Sequence, residues 1–182
     1  MTTRQVYLRR ILALMQKVDI QALAKYLTLR FEVEGECLTP AKLQKLLYYV
    51  QAWHLVHTYG HPLFEDQPQA WVNGPVYTSI YGLYKGHQMY DCISSNGLDG
   101  ADATQAALET AYKALGLDEK QADIVESVIR SYGFLPSNKL ISMTHSEAPW
   151  ADAREGLSPV DRSNKRIEHS AMREYYSKRI AG

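Results

Sequence analysis

The stretch Leu38–Tyr84 constrains this chain more than any other. It opens Leu38-Thr39-Pro40-Ala41-Lys42-Leu43-Gln44-Lys45-Leu46-Leu47-Tyr48-Tyr49 and continues through Trp53 to Gly60. Thr39 is a good N-cap, and Pro40 suits the first helical position, where its missing N–H costs nothing. On a helical wheel Leu43, Leu46, Leu47, Val50, His54 and His57 share one face, and Tyr48, Leu55 and Tyr59 share a second. Gln44, Gln51 and Thr58 divide the faces on one side, and Lys42, Lys45 and Tyr49 on the other. A surface helix buries a single apolar stripe. Two stripes predict a helix over Thr39–Tyr59 that is covered from both sides.

Beyond it the chain reads Ala70-Trp71-Val72-Asn73-Gly74-Pro75-Val76-Tyr77, then Ile80, Tyr81, Leu83 and Tyr84. Asn-Gly-Pro punctuates the backbone, since glycine admits positive φ and proline pre-sets a helical turn. The spacing from Pro75 is again helical, with Gly86 at its end. None of these residues forms a catalytic motif.

The two blocks Lys42-Leu43-Gln44-Lys45-Leu46-Leu47-Tyr48-Tyr49 and Ala70-Trp71-x-Asn73-Gly74-Pro75-Val76 resemble the Panacea domain. That is the family of SocA-like antitoxins and GepA-like phage-associated proteins. A third block, Leu140-x-x-x-Thr144-His145-x-Glu147-x-Pro149-Trp150 with Ala153-Arg154 after it, is similar to the family's later signature. Together they span about Asp19 to Tyr176. The resemblance implies an antitoxin partnered with a separate toxin protein, commonly encoded by a neighbouring gene. It implies neither an enzyme activity nor a cofactor. Members of the family neutralise toxins of several unrelated kinds, so it does not name the toxin.

The rest of the sequence is read along the chain. Val6, Tyr7, Ile11, Leu14, Met15 and Val18 predict a helical arm over residues 1–18, ahead of a domain over residues 19–182. Asp19 caps a helix ending near Gly35. Gly60-His61-Pro62 stops the central helix. Gln69–Val72 and Met89–Ser94 are short extended candidates that would pair as a small hairpin. Ser95–Ala103 reads as an exposed loop. Helices follow over Ala103–Leu115, from a capping box at Asp118 to Gly133, and from Pro136 until Thr144–Trp150 breaks the run. Ser163 caps a last helix carrying Ile167, Met172, Tyr175 and Tyr176. The expected fold is mainly α: one compact domain of about seven helices around the central one.

Charge narrows the function classes. Lysine and arginine balance aspartate and glutamate at 20 each, which argues against binding nucleic acid chiefly through phosphates. The charges are uneven: Arg4, Arg9, Arg10 and Lys17 face no nearby acid, and Asp91–Glu126 carries eight acids against Lys113 and Lys120. Solvated helix faces explain this most simply, and an acidic face for a basic partner is the sharper alternative. Cys37 and Cys92 form no paired motif, so neither a disulfide framework nor a zinc ribbon is indicated. No apolar run approaches a membrane span and no signal-peptide pattern opens the chain, so the expected location is the cytoplasm.

The candidate sites are weighed against plain structural roles. His54, His57 and His61 could gather imidazoles, but Thr58 stands where a zinc protease needs its acid, so partly buried histidines are favoured over metal. Thr144-His145-Ser146-Glu147 holds atoms for acid–base work, yet adjacency is not a triad, and a helix end in which Trp150 packs is favoured. Leu43, Gln44, Leu46, Leu47, Tyr48, Trp71, Asn73, Gly74, Pro75, Thr144, His145, Pro149 and Trp150 are assigned to structure. Trp71 is expected in the core. Lys42, Lys45 and Tyr49, on the strip between the stripes, and Tyr77, Tyr81 and Tyr84 are the candidates for touching a partner. Thirteen tyrosines are many, and most are expected in the core. The function expected is stoichiometric neutralisation of a toxin, with no catalysis. An adaptor delivering a toxin to an intracellular protease, a DNA-binding regulator and a metal protein remain as alternatives.

Overall fold

The computed structural model describes residues 17–95 and 103–180. The expected N-terminal arm lies outside the described residues except for Lys17 and Val18, and so does most of the loop after Ser95. Among the described residues there are eight helices and a two-stranded sheet, a mainly α architecture.

Helix α1 (Ile20–Val33) starts where the Asp19 carboxylate accepts the Gln21 N–H, and it gives way to Gly35 at φ +72°. Helix α2 (Pro40–His57) starts where the Thr39 hydroxyl accepts the Lys42 N–H. Its end comes slightly before Tyr59, because Thr58 Oγ1 turns back to donate to the His54 carbonyl at 2.6 Å. Tyr59 then takes a left-handed conformation and points into solvent, so it is no part of a second buried stripe. The expectation of cover on both sides holds strongly: α2 packs against α1, β2 and three later helices, and every residue from Ala41 to Ala52 is buried.

Strands β1 (Gln69–Trp71) and β2 (Gly74–Val76) form an antiparallel hairpin with Trp71 opposite Gly74. This corrects the expected pairing with Met89–Ser94. Val72 and Asn73 reverse the chain in two residues, and Gly74 at φ +95° completes the reversal, so β1 meets the nearest segment first. Met89–Ser94 runs instead beside the entry to α2, where the Ile93 N–H donates to the Leu38 carbonyl at 2.8 Å. There Cys37 and Cys92 form a disulfide, a pairing that their spacing did not indicate.

Because residues 74–76 are strand, α3 (Thr78–Leu83) begins later than Pro75. Helix α4 (Gln105–Ala114) is capped by Thr104. Helix α5 (Glu119–Tyr132) opens with the capping box between Asp118 and Gln121 in both directions. Helix α6 (Ser137–His145) is followed at once by α7 (Ala148–Ala153), where only a break was expected; Pro149 sits in its first turn, a position proline favours. The last helix, α8 (His169–Lys178), starts after Ser163 because the segment before it is extended against β1. Ala70 N–H donates to the Lys165 carbonyl and Ile167 N–H to the Pro68 carbonyl, each at 2.8 Å.

Tyrosine is divided between interior and surface. Tyr26, Tyr48, Tyr49, Tyr77, Tyr84 and Tyr176 are buried, whereas Tyr59, Tyr81, Tyr90 and Tyr112 are exposed. Tyr49 stacks on Tyr132 at 4.1 Å between centroids, and Tyr48 and Tyr176 meet it edge-on. Among the described residues no helix is long and apolar enough to cross a membrane.

Candidate functional site

Gln44 and Lys45 leave α2 toward the hairpin. Buried backbone groups need partners, and these two side chains supply them. Gln44 Nε2 donates to the Tyr77 carbonyl at 3.2 Å, while its Oε1 accepts the Tyr77 N–H at 2.8 Å. Lys45 Nζ donates to the Pro75 carbonyl at 3.1 Å. Only glycine fits the turn above Lys45: a Cβ on Gly74 would lie 2.6 Å from Lys45 Cε and 2.8 Å from Thr144 Oγ1.

The third block grips the same hairpin from its other strand. Trp150 Nε1 donates to the Trp71 carbonyl at 2.9 Å, and Arg154 Nη1 donates to the Ala70 carbonyl at 2.9 Å. Arg154 Nη2 also donates to the carbonyls of Ser158 at 3.0 Å and Asp161 at 2.9 Å, which folds the following loop onto the hairpin. His145 stacks on Trp150 at 4.1 Å. Thr144 and Ser146 donate to the carbonyls of Ile141 and Met143, the helix-end role expected of them. Glu147 is buried; it accepts the hydroxyls of Tyr49 at 3.3 Å and Tyr176 at 2.5 Å, with Arg179 at 3.4 Å. Burial pushes its carboxyl up, against the pull of these donors.

Beside the clamp lies a cavity of about 910 Å³. The first turns of α2 form one wall with Pro40, Ala41, Gln44 and Lys45; the hairpin contributes Gln69 and Trp71–Asn73. Ile80, Tyr81 and Tyr84 line it from α3 and its C-cap, and His87, Met89 and Arg162–Asn164 complete it. Trp71 and Tyr81 meet edge-on, 4.9 Å between centroids. Lysine, histidine and arginine line the cavity, and among its described lining residues there is no aspartate or glutamate. Lys45 is 1% exposed, and burial pushes its ammonium down to about 7. Burial also lowers His145, and the charges of Lys45 and Arg154 lower it further.

Residues 43–151 match the family model described as antitoxin SocA-like, Panacea domain. The chain belongs to the Panacea-domain family. No curated protein and no solved structure matches it. The matched span runs from α2 into α7, so it contains the Gln44–Lys45 clamp, the hairpin and the Trp150 contact that holds it. In this Panacea chain the three sequence blocks are therefore one interlocked unit: a helix, the hairpin it clamps, and the helical pair closing over the far side.

The residues singled out from sequence fall into different places. Tyr81 is exposed, at 52%. Lys42, Lys45, Tyr49, Tyr77 and Tyr84 are buried, so the exposed strip considered for α2 does not exist. Lys42 stands over the Phe31 ring at 4.8 Å, and the Tyr84 hydroxyl pairs with Thr28 Oγ1 at 3.0 Å. Neighbours on every side of α2 leave no room for a solvated lysine row. Trp71, expected in the core, is only partly buried and forms cavity wall, its Nε1 donating to Gln69 Oε1 at 2.8 Å. His54 turns its Nδ1 to the His61 carbonyl at 2.9 Å, and burial pushes its ring down to about 4. Among the described residues no three His, Cys, Asp or Glu side chains converge to hold a metal. Nothing local in the sequence shows that His87, Met89 and Arg162 line the same cavity as Lys45, since only tertiary folding joins them.

Proposed function

We propose that this chain is the antitoxin of a toxin–antitoxin pair and neutralises a cognate protein toxin by direct stoichiometric binding. The observation that carries this is the family match over residues 43–151. The toxin is a separate protein encoded by an adjacent gene, and the complex forms in the cytoplasm. Neutralisation makes and breaks no bond: the antitoxin covers or distorts the toxin's working surface. Cytoplasmic reductants would hold Cys37 and Cys92 as thiols, so binding does not depend on their disulfide.

The surface that suits this task surrounds the outer end of α3. Tyr81 and Leu83 are exposed there, and Tyr90 follows at 57%. Exposed tyrosines close to one another in the chain supply large contact area at low entropy cost, as in interface hot spots. Co-expression with the product of the adjacent open reading frame tests the proposal. Growth should stop with the neighbour alone and resume when this chain is present, and Tyr81→Ala with Tyr90→Ala should weaken the rescue. A toxic neighbour that this chain fails to relieve contradicts neutralisation. Rescue with disappearance of the toxin contradicts stable binding and favours delivery to a protease.

A further inference from the structure

The cavity beside the hairpin turn has a composition that packing alone does not explain. Burying an ammonium costs free energy unless a partner offsets it. Lys45 Nζ has three donor hydrogens, and its hydrogen bond in the structure goes to the Pro75 carbonyl. Among the described residues no carboxylate pairs with it, although the chain has 20 acidic residues. Arg162 adds a guanidinium and His87 an imidazole to the same space, and Asn73, Ser163 and Asn164 add further polar groups. Trp71 and Tyr81 give it an aromatic wall. At about 910 Å³ the volume lies within the range of cavities that hold small organic molecules.

We propose that this cavity binds a small organic anion, a carboxylate or phosphate carried on a flat apolar body, with Lys45 and Arg162 as its charge partners. The anionic group meets the Lys45 ammonium and the Arg162 guanidinium, and the flat body lies against Trp71 and Tyr81. An anion restores to Lys45 the charge partner that the protein withholds, and a planar ring has a matching surface in the aromatic pair. This site stands on its own geometry and does not require the antitoxin function.

Binding favours the protonated form of Lys45, so affinity should rise as pH falls from about 8 toward about 6. His87 and Arg162 line the same cavity, together with Tyr81 and Tyr84, and the Lys45 charge acts on His145. Lys45→Met separates the Lys45 contribution from theirs. The part of the pH dependence that disappears in this variant belongs to Lys45.

Titration of the folded protein with phenyl phosphate, benzoate and the uncharged benzyl alcohol, followed through the indole N–H resonances, tests the site. The Trp71 resonance should shift saturably with the two anions, and benzyl alcohol should bind at least about tenfold more weakly. Lys45→Met should lose at least about tenfold in affinity for phenyl phosphate while keeping a cooperative melting curve. Arg162 is exposed, so Arg162→Gln keeps the fold even if Lys45→Met does not, and it should weaken binding about threefold. Equal binding of benzyl alcohol and phenyl phosphate overturns the proposal. So does unchanged affinity in Arg162→Gln, or no saturable shift at about 10 mM anion, where even a millimolar ligand would register. An acidic segment of a protein partner would give that last result, with the shift appearing only when the partner is added.

Discussion

The side-chain amide of Gln44 satisfies both backbone groups of Tyr77, a residue 33 positions further on, with bonds of 2.8 and 3.2 Å. One side chain thus takes the place of a strand neighbour on a two-stranded hairpin too small to be stable by itself. The hairpin in turn positions Trp71, Val72 and Asn73 around the cavity. The buried polar row of α2 is therefore the attachment of the hairpin, and the helix could not be apolar all round without losing it.

Gln44→Ala should cost about 2 kcal/mol, because it leaves the buried Tyr77 N–H without a partner, while the Tyr77 carbonyl keeps the Tyr81 N–H. Urea denaturation should show a lower midpoint with little change in slope. A loss below about 0.5 kcal/mol would mean that water or relaxation satisfies Tyr77 without Gln44.

Lys45 sets a pH dependence of stability. In the unfolded chain its ammonium titrates near 10.4, and in the folded protein at about 7. Between these values the unfolded state binds the extra proton, so the Lys45 contribution makes the native state more stable as pH rises. Lys45→Met removes that contribution. The stability difference between parent and variant should move in the parent's favour from pH 7 to 10, by up to the order of 4 kcal/mol. A difference that stays flat with pH would contradict a buried ammonium that has no charge partner.

The Cys37–Cys92 bond closes a separation of 55 residues, from the entry of α2 past the hairpin and α3. Loop-closure entropy puts its stabilisation at about 4 kcal/mol. Dithiothreitol should lower the melting temperature of oxidised protein, and Cys37→Ser should melt at that lower temperature with or without reductant. A parent insensitive to reductant would show that the bond does not form in solution.

Tyr176→Phe should destabilise the protein by about 2 kcal/mol at neutral pH, since a hydroxyl bound to a buried carboxylate is lost. The Tyr176 hydroxyl lowers the otherwise raised Glu147 carboxyl, so its removal raises that group further. The penalty should shrink as pH falls and Glu147 takes up a proton in both proteins. Denaturation at neutral and acid pH measures this directly; an equal penalty at both would place the effect in packing alone.

Features written in local chemistry were legible in the sequence. The two stripes announced a covered α2, and Asp19, Thr39 and Asp118 each act as the caps their residue types suggest. Features decided by distant partners were not. Lysine normally lies at the surface, and the carbonyl that holds Lys45 belongs to Pro75, beyond the end of its own helix. Strands of three residues are too short for alternation to show their partner, so the turn at Asn73 decided the hairpin. Pro149 carries a helix-start signal as well as a break signal, and the fold uses the first. Of the cavity, Trp71, Tyr81 and Lys45 were visible as residues of interest, but nothing local joined them to Arg162 or His87.

The most direct test of the neutralisation account is the mass of the complex formed when this chain and the product of the adjacent gene are co-expressed and purified. We expect both proteins in one species of fixed ratio, measured by light scattering during size-exclusion chromatography, with the toxin inactive inside it. Separate elution of an active toxin and this chain alone would contradict the central claim.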